Sequence, residues 1–269
     1  MPRTFLREEP GARDPGETHA NDPLFNRSTA RAVAVMSAFH RSSGPMTLSE
    51  IARAAHIDRS AAQRLVHTLR ELGYLKRSED GRGFLPDLRI LDHAHDCLRL
   101  DPVVQRATPV LLELRRNVRE RVDLSLFDDR RVIYATRMQS KRETFYATLV
   151  GHAVPTFCSS GGRSILAALP EAEARDIVER SDRDAITPKT ETDTDAVMAK
   201  VGEARRLGYA LVCEEVLVGE VAIGTAIRNP AGRPIGAVHV AGSLSAWTPE
   251  AFTARVAPLA AEAASAISR

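Results

Sequence analysis

The sequence predicts an α+β protein with two domains, the first made of short helices and a hairpin and the second of an antiparallel sheet flanked by helices. Three observations predict this class. Residues 47–85 contain two short amphipathic helical runs followed by two short strand-like runs. From residue 121 onward, several stretches alternate apolar and polar residues with a period of two. Turn signals such as the Asn-Pro-Ala-Gly run at 229–232 join these stretches into hairpins.

Length and charge fit this organisation. A chain of 269 residues is long enough for two domains, and its net charge is only +2. The charge is unevenly distributed, since residues 26–90 hold 11 Lys and Arg against 6 Asp and Glu. A basic concentration of this kind is what contact with nucleic-acid phosphates requires.

The cysteines and the N-terminus indicate the cellular compartment of the protein. Cys97, Cys158 and Cys213 are few, odd in number and lack a C-x-x-C pair, which predicts free thiols in a reducing environment. The sequence has no run of 18 apolar residues and no apolar core of a signal peptide at its start. We therefore expect a cytoplasmic protein with no membrane partner. The sequence also shows no metal-binding spacing and no cofactor motif.

The chain begins with a segment that lacks apolar patterning. Residues 1–25 are rich in Pro, Gly, Arg, Asp and Glu, so we expect a disordered leader. Ser28 is a suitable N-cap for a first helix over 29–40, with Val33 and Met36 on its apolar side.

Residues 47–85 predict a winged helix-turn-helix. Thr47 and Glu50 form a capping box that opens a helix over 48–55. Asp58 is a suitable cap for a second helix over 59–72, and Gly73 stands where a helix end needs a left-handed residue. Short strands over 74–77 and 83–85 complete the unit. We predict that residues 26–86 form a domain that binds double-stranded DNA.

The second helix of such a unit enters the major groove with its first turns at the base edges. Arginine suits guanine and glutamine suits adenine, whereas Leu65, Val66 and Leu69 lie on the core side. Ser60 suits a phosphate contact or the helix cap. The predicted DNA-binding residues are Arg59, Ser60, Gln63, Arg64 and His67 in the helix, with Arg77 and Arg82 in the wing.

The remaining chain predicts a linker and a larger domain over 101–269. A helix over 86–100 carries Leu88, Leu91, His95 and Leu98 at helical spacing, and its part over 87–100 is the linker. The other predicted elements are a helix over 102–119, a hairpin over 121–127 and 131–137, a strand near 144–149, helices over 161–169 and 171–181, a helix that Thr192 or Asp193 caps and that ends at Leu207, a hairpin over 221–228 and 234–241, and a final helix after Thr248.

These segments together resemble the IclR family of bacterial transcriptional regulators, from Arg27 to Ser268. The N-terminal match is LSEIARAAHIDRSAAQRLVHTLRELGYL. The C-terminal match comprises VIYATRM, VPTFCSSGGRSILAALP and RRLGYALVCEEVLVGEVAIGTAIRNPAGRPIGAVHVAG. A winged helix alone is shared by several families. Its combination in order with G-R-x-I-L-A-x-L-P and G-Y-A-x-x-x-E-E-x-x-x-G is specific.

The resemblance implies a winged helix-turn-helix, a linker helix and a GAF-like effector-binding domain. It also implies a homodimer or a dimer of dimers that binds palindromic operators under the control of a small organic acid. Many members repress, so repression is the expectation and activation the alternative.

The resemblance implies ligand contacts near Glu143, Tyr146, Val154, Ser160, Gly161, Val212, Ala222, His239 and Ala241. Free N–H groups at a helix start near Ser160 suit a carboxylate. Some small-acid binders of the family have an acidic residue in place of Val212, a cysteine in place of Ala222 and serines in place of His239 and Ala241. These departures favour a larger, partly aromatic or apolar acid. His239 is a candidate ligand contact or a structural strand histidine.

Two further interpretations concern charged and nucleophilic groups. Arg137 and Arg163 are candidates to balance a ligand carboxylate, with surface ion pairing as the ordinary alternative. Cys158, with His152 or His239 nearby in space, raises a thiol enzyme of GAF-like fold as a remote alternative, although the sequence shows no activating base. We therefore expect a regulator rather than an enzyme.

Overall fold

The computed structural model describes residues 22–139 and 150–268. The chain divides into two units, one ending at Arg99 and the other beginning at Leu100. Most of the predicted leader, the predicted strand near 144–149, and the predicted ligand contacts Glu143 and Tyr146 lie outside the described residues.

The first unit contains the predicted helix-turn-helix. Its helices are α1 (Arg27–Ser37), α2 (Leu48–Ala54) and α3 (Arg59–Glu71). Thr47 and Glu50 form the predicted capping box of α2, and the Asp58 side chain accepts a hydrogen bond from Ala61 N as the cap of α3. Gly73 has the predicted left-handed backbone, with a φ of 79°. These predictions are confirmed.

The predicted first helix was wrong at both ends. The helix is capped by Asn26 rather than Ser28, and it gives way to a 3-10 turn over Ala38–Arg41. Asn26 is as good a cap as serine and precedes it, so the helix begins earlier. The apolar side is also different, since Val35 is buried whereas Val33 is 59% exposed. Val35 packs in the core of the unit with Ile51, which orients α1.

A small wing and an exposed helix follow. Strands β1 (Leu75–Arg77) and β2 (Phe84–Pro86) pair antiparallel, with Leu75 opposite Pro86. Helix α4 (Arg89–Leu100) therefore begins after the predicted position at residue 86, because Pro86 is engaged in the hairpin. In the described structure, none of the 12 residues of α4 is buried.

The second unit is built on a six-stranded antiparallel sheet with the order β5-β4-β3-β8-β7-β6. Its strands are β3 (Arg121–Asp128), β4 (Arg131–Met138), β5 (Ala153–Pro155), β6 (Ala210–Cys213), β7 (Glu220–Arg228) and β8 (Pro234–Ser243). The two predicted hairpins are confirmed. The edge strands β5 and β6 were not predicted, because runs of three and four residues carry too little alternation.

Helices cover both faces of this sheet. They are α5 (Pro102–Val118), α6 (Ser160–Ala168), α7 (Glu171–Arg180), α8 (Thr194–Leu207) and α9 (Pro249–Ser268). Phe252 of α9 lies against Gly242 of β8, whereas Gly161 of α6 lies against His239 of the same strand. Because 239 and 242 point to opposite faces, α9 and α6 lie on opposite sides of the sheet. The α+β class is confirmed.

A buried ion pair connects α6 to the loop between β6 and β7. Both terminal nitrogens of Arg163 lie 2.6 Å from the carboxylate oxygens of Glu215, and the Arg163 residue is only 1% exposed. Glu215 also accepts hydrogen bonds from Lys200 Nζ and from the Glu191 backbone N–H. Burial alone would raise the pKa of Glu215, but the hydrogen bonds and charge of Arg163 hold it below its ordinary value. The proposals that Arg163 balances a ligand or forms a surface ion pair were therefore wrong.

Replacing Glu215 with glutamine should lower the free energy of unfolding by about 3–5 kcal/mol, because it leaves the Arg163 cation buried without its counter-charge. Urea unfolding followed by the fluorescence of Trp247, which is the one tryptophan of the chain and lies in the second unit, measures this change. The matched control is Glu173→Gln, which breaks the more exposed pair with Arg233 and should cost less than about 1 kcal/mol. Equal effects of the two substitutions would contradict the structural role of the buried pair.

Candidate functional sites

The outer side of α3 presents the predicted DNA-binding residues to solvent. Val66 and Leu69 are buried on the inner side, as predicted. The exposed residues lie at spacings of three and four, so they follow one stripe along the helix. They are Arg59, Ser60, Gln63, Arg64 and His67.

Two of these residues have partners within the unit. Asp58 Oδ1 accepts hydrogen bonds from Ala61 N and, at 2.7 Å, from the Ser60 hydroxyl. These two hydrogen bonds lower the pKa of Asp58. Ser60 thus supports the helix cap. The imidazole of His67 lies 4.0 Å from the Glu71 carboxylate one turn later. Arg59, Gln63 and Arg64 are the exposed long side chains of the first turns.

The wing is stiffened by its own residues. The Ser78 side chain accepts from Gly83 N at 2.9 Å and also contacts the Asp80 carboxylate, which accepts from Arg82 N. The Arg77 guanidinium lies 5.1 Å from the centre of the Phe84 ring and donates to Gly81 O. Arg77 therefore holds the hairpin, while the Arg82 side chain is exposed at its tip.

In the second unit, four predicted ligand contacts lie on one face of the sheet in two adjacent cross-strand rows. The apolar row runs across Val212, Ala222, Ala241 and ends at Arg121. The polar row runs across Ala210, Gly224, His239, Asp123 and Arg137. Residues two apart in a strand point to the same side, so both rows share one face. Val154 is paired with Val132 at the β5 edge and is buried.

Ser160 and Gly161, at the start of α6, lie over the polar row. A Cβ atom on Gly161 would lie 2.1 Å from Cε1 of His239, so the helix backbone is pressed onto the imidazole. The Ser160 hydroxyl lies 3.4 Å from His239 Nδ1, and Ser125 Oγ lies 2.7 Å from Nε2. Burial, with the charges of Arg121 and Arg137, lowers the pKa of His239 to about 3. The imidazole is therefore neutral.

Sequence reasoning named Arg137 as a candidate charge but missed its partner Asp123 and the neighbouring ion pair of Arg121 with Glu220. Arg121 lies 2.9 Å from Asp123 Oδ2 and 2.7 Å from Glu220 Oε2. Arg137 Nε lies 3.1 Å from Asp123 Oδ1, and its guanidinium lies over the Tyr134 ring. The alternation of Arg121, Asp123 and Ser125 with apolar residues along β3 predicts a strand, but such a pattern ordinarily places the polar side in water, so it does not indicate that Asp123 and Ser125 are buried.

The cysteine beside α6 does not have the properties of a nucleophile. Cys158 is fully buried, and burial raises the pKa of its thiol to about 12. A reactive cysteine needs the opposite shift, towards the thiolate. Within residues 22–139 and 150–268, no three His, Cys, Asp or Glu side chains are grouped as metal ligands. The described helices include none with the length and apolar character needed to span a bilayer.

Comparison with known proteins matches both units to one family. The helix-turn-helix domain of the IclR family matches residues 28–79, and the C-terminal domain of IclR bacterial transcriptional regulators matches residues 95–269. The chain is similar to the Pca regulon regulatory protein of Pseudomonas putida, with 28% identity over 246 residues, which cover 90% of this chain and 83% of the relative. It is also similar to the transcriptional repressor AllR of Klebsiella pneumoniae, with 22% identity, 95% of this chain and 92% of the relative.

A solved structure adds information on a ligand. An IclR homolog from Microbacterium hydrocarbonoxydans, complexed with 4-hydroxybenzoate, is similar to this chain with a TM-score of 0.71 and 26% identity. The similarity covers 90% of this chain and 97% of that one.

Replacing His239 with glutamine should reduce the loss of stability in acid. The folded-state pKa is about 3 and the ordinary value is 6.5, so below about pH 6.5 the unfolded chain binds a proton that the folded protein does not. The wild type should lose more unfolding free energy than His239→Gln between about pH 7 and about pH 5, measured by urea titrations with Trp247 fluorescence. His67→Gln, at an exposed position, should follow the wild type. Parallel pH profiles for all three proteins would show that His239 is not held neutral.

Proposed function

Because the chain belongs to the IclR family and is a DNA-binding transcriptional regulator, we propose that it represses its target genes under the control of a small aromatic acid. Residues 26–86 form the DNA-binding domain in this proposal, 87–100 the linker and 101–269 the effector-binding and oligomerisation domain. A DNA partner favours the cytoplasm as its location. The similarity to the repressor AllR favours repression, and activation is the alternative.

The proposal that the protein reads DNA rests on the capped first turns of α3. Arg59, Gln63 and Arg64 are exposed on one stripe of a helix whose opposite side is buried in the unit. Guanidinium and amide groups of this kind form paired hydrogen bonds with guanine and adenine in the major groove. Arg77 and Arg82 in the wing, together with His67, are expected to contact the backbone, while Ser60 supports the cap and reaches a phosphate.

The apolar row supports the ligand class. Val212, Ala222 and Ala241 offer a hydrocarbon surface on the face that also carries Ser160 and His239. A planar ring suits such a surface, and a carboxylate suits the N–H groups and positive dipole end at the start of α6. The complex of the Microbacterium hydrocarbonoxydans homolog with 4-hydroxybenzoate favours the same class. Glu143, Tyr146 and Val154 complete the predicted contacts.

The exposed helix α4 supports a homodimer. Leu91 and Leu98 are two turns apart on a helix with no buried residue in the described structure, and Leu88 precedes them by one turn. An apolar stripe of this kind is stabilised by packing against the same stripe of a second copy. A two-fold dimer would place two α3 helices in successive major grooves of a palindromic operator, about 34 Å apart. A dimer of dimers extends the same arrangement.

Regulation then requires that the acid bind one conformational state more tightly than another. A ligand shifts a two-state equilibrium only by its difference in affinity for the states. In this proposal the acid favours a placement of the two DNA-binding domains that does not fit the operator, and α4 transmits the change.

Arg64→Ala should weaken operator binding by about 1–3 kcal/mol, the usual value of a paired arginine–guanine contact. Fluorescence anisotropy on a labelled operator measures the change. Arg206→Ala is the matched control, because it removes an equally exposed arginine from α8 and should leave affinity unchanged. If the two variants bind equally well, Arg64 does not read the operator.

The proposed function is tested by mobility shifts on the intergenic DNA upstream of the protein's own gene, with and without a panel of aromatic and aliphatic acids. We expect a sequence-specific complex that one or more aromatic acids dissociate. Loss of the complex with aliphatic acids alone would overturn the ligand class. A complex that forms only when acid is added would show that the acid strengthens DNA binding, and would overturn release of the operator by ligand.

A further inference from the structure

A pocket lies at the free edge of β7, beyond the end of β6. Strand β6 pairs with β7 only as far as Gly224, so residues 225–228 of β7 have no strand neighbour on that side in the described structure. The pocket is lined by residues of α6, of α9, of the end of α8 and of this edge of β7. Its volume of about 370 Å³ is within the usual range for a small-molecule site.

The lining of this edge pocket is positively charged. None of the described residues that line it is Asp or Glu, whereas Arg205 and Arg228 both belong to it. Arg228 Nη1 donates to Ala168 O at 3.4 Å and to Gly232 O at 3.1 Å. Within residues 22–139 and 150–268, its Nε and Nη2 form no hydrogen bond and no carboxylate forms an ion pair with it. The guanidinium of Arg228 thus keeps both donors and a charge for another partner.

The second arginine has a structural role that uses only part of its guanidinium. Arg205 donates to the carbonyl oxygens of Ala167 and Leu169 at the end of α6. Basic side chains commonly bond the last carbonyls of a helix in this way. Its Nη1 lies 3.8 Å from the carboxylate of Glu171, whose side chain is 72% exposed and therefore well solvated. Helix capping explains where the two arginines lie, but it leaves N–H groups of both unused.

The edge of β7 adds two further hydrogen-bonding groups. Glu214 N donates to Glu220 O, so the even-numbered residues of β7 direct their backbone groups towards β6. Ala226 therefore directs its N–H out of the sheet edge, where it meets no acceptor among the described residues. The next residue towards β6, Thr225, is 7% exposed, and its Oγ1 has no hydrogen-bond partner among them either. Unpaired polar groups at a covered site cost free energy that a bound molecule can recover.

We propose that the edge pocket is a second ligand site, which binds a small phosphate monoester. Guanidinium groups bind phosphate through paired, charge-assisted hydrogen bonds. The three terminal oxygens of a phosphate accept from several directions, which suits donors that come from Arg228, from the edge amide of Ala226 and from Thr225. The alanines of the lining leave room for a short uncharged body.

This site is separate from the one proposed for the aromatic acid. The acid is placed at the first residues of α6, and the edge pocket lies at its last residues. A helix of nine residues is about 12 Å long, so one small molecule does not fill both sites.

The test is isothermal titration calorimetry of the full chain with inorganic phosphate, glycerol 3-phosphate and butyrate at constant ionic strength. Wild type should bind glycerol 3-phosphate most tightly, at one molecule per chain. Arg228→Gln should weaken this binding at least about tenfold, as expected for the loss of a charge-assisted hydrogen bond. The matched control is Arg206→Gln, which removes the same charge from an exposed position of α8 outside the pocket and should bind as wild type does.

A second pair of variants keeps both arginines in place. Ser265 and Ala266 are neighbouring exposed residues of α9, and only Ser265 lines the pocket. Ser265→Trp should block glycerol 3-phosphate, whereas Ala266→Trp should not. Binding that persists in Ser265→Trp would overturn the location, and equal losses in Arg228→Gln and Arg206→Gln would reduce the effect to general charge attraction.

The remaining outcomes concern the ligand class and the separation of the two sites. Failure of wild type to bind either phosphate, or binding of butyrate as tight as that of glycerol 3-phosphate, would overturn the phosphate site. Titration with 4-hydroxybenzoate should give the same affinity in Arg228→Gln as in wild type. A parallel loss of both ligands in that variant, with an unchanged thermal unfolding curve, would show that there is one site and not two.

Discussion

The close approach of α6 to the central sheet is the constraint on which the ligand face depends. A Cβ atom on Gly161 would lie 2.1 Å from the His239 ring, and one on Gly224 would lie 2.2 Å from the carbonyl carbon of Ser160. Neither side can withdraw without breaking helix or ladder hydrogen bonds, so only glycine fits at these two positions. The contact brings Ser160 to His239 and removes the imidazole from water. The neutral state of that histidine is a consequence of backbone packing.

Two buried groups of charged side chains differ in how completely they are hydrogen-bonded. Around Glu215, the carboxylate accepts from both terminal nitrogens of Arg163, from Lys200 and from the Glu191 backbone, so its capacity is used. Buried charges that are paired and fully hydrogen-bonded fix the relative positions of the elements that carry them. The group around Asp123 is also balanced in charge, but Asp123 Oδ1 accepts no hydrogen bond from the described residues. A polar cluster that is complete holds the fold, whereas an incomplete one on a covered face is suited to a ligand.

The helix-turn-helix of the first unit could be predicted because its signals are local. Thr47 and Glu50 are three residues apart, and Asp58 lies next to the helix that it caps, so short-range chemistry alone determines where α2 and α3 begin. The second unit depends on contacts between distant residues. No local pattern indicates that Asp123 lies opposite His239, or that Glu215 lies opposite Arg163, which is why Asp123 was missed and Arg163 was expected either to balance a ligand or to form a surface ion pair. The family resemblance supplied the residues of the apolar row, but the sequence alone does not show that they share a face.

The weak attachment of α4 within the first unit bears on the proposed regulation, in which this helix transmits the ligand effect. Within the first unit, the helix is held by the ring contact between His93 and Tyr74, by a hydrogen bond between the same side chains, and by the backbone bond from Asp87 to Tyr74. In the described structure it buries no residue, so few apolar contacts oppose a change in its direction. Allosteric coupling is typically about 1–3 kcal/mol, which is comparable to a few such contacts and far below the stability of a packed core. The sheet face under α6 is held by glycines and ladder bonds, and α3 is held by its caps and core. In the proposed mechanism, α4 is the element that a small difference in binding energy reorients.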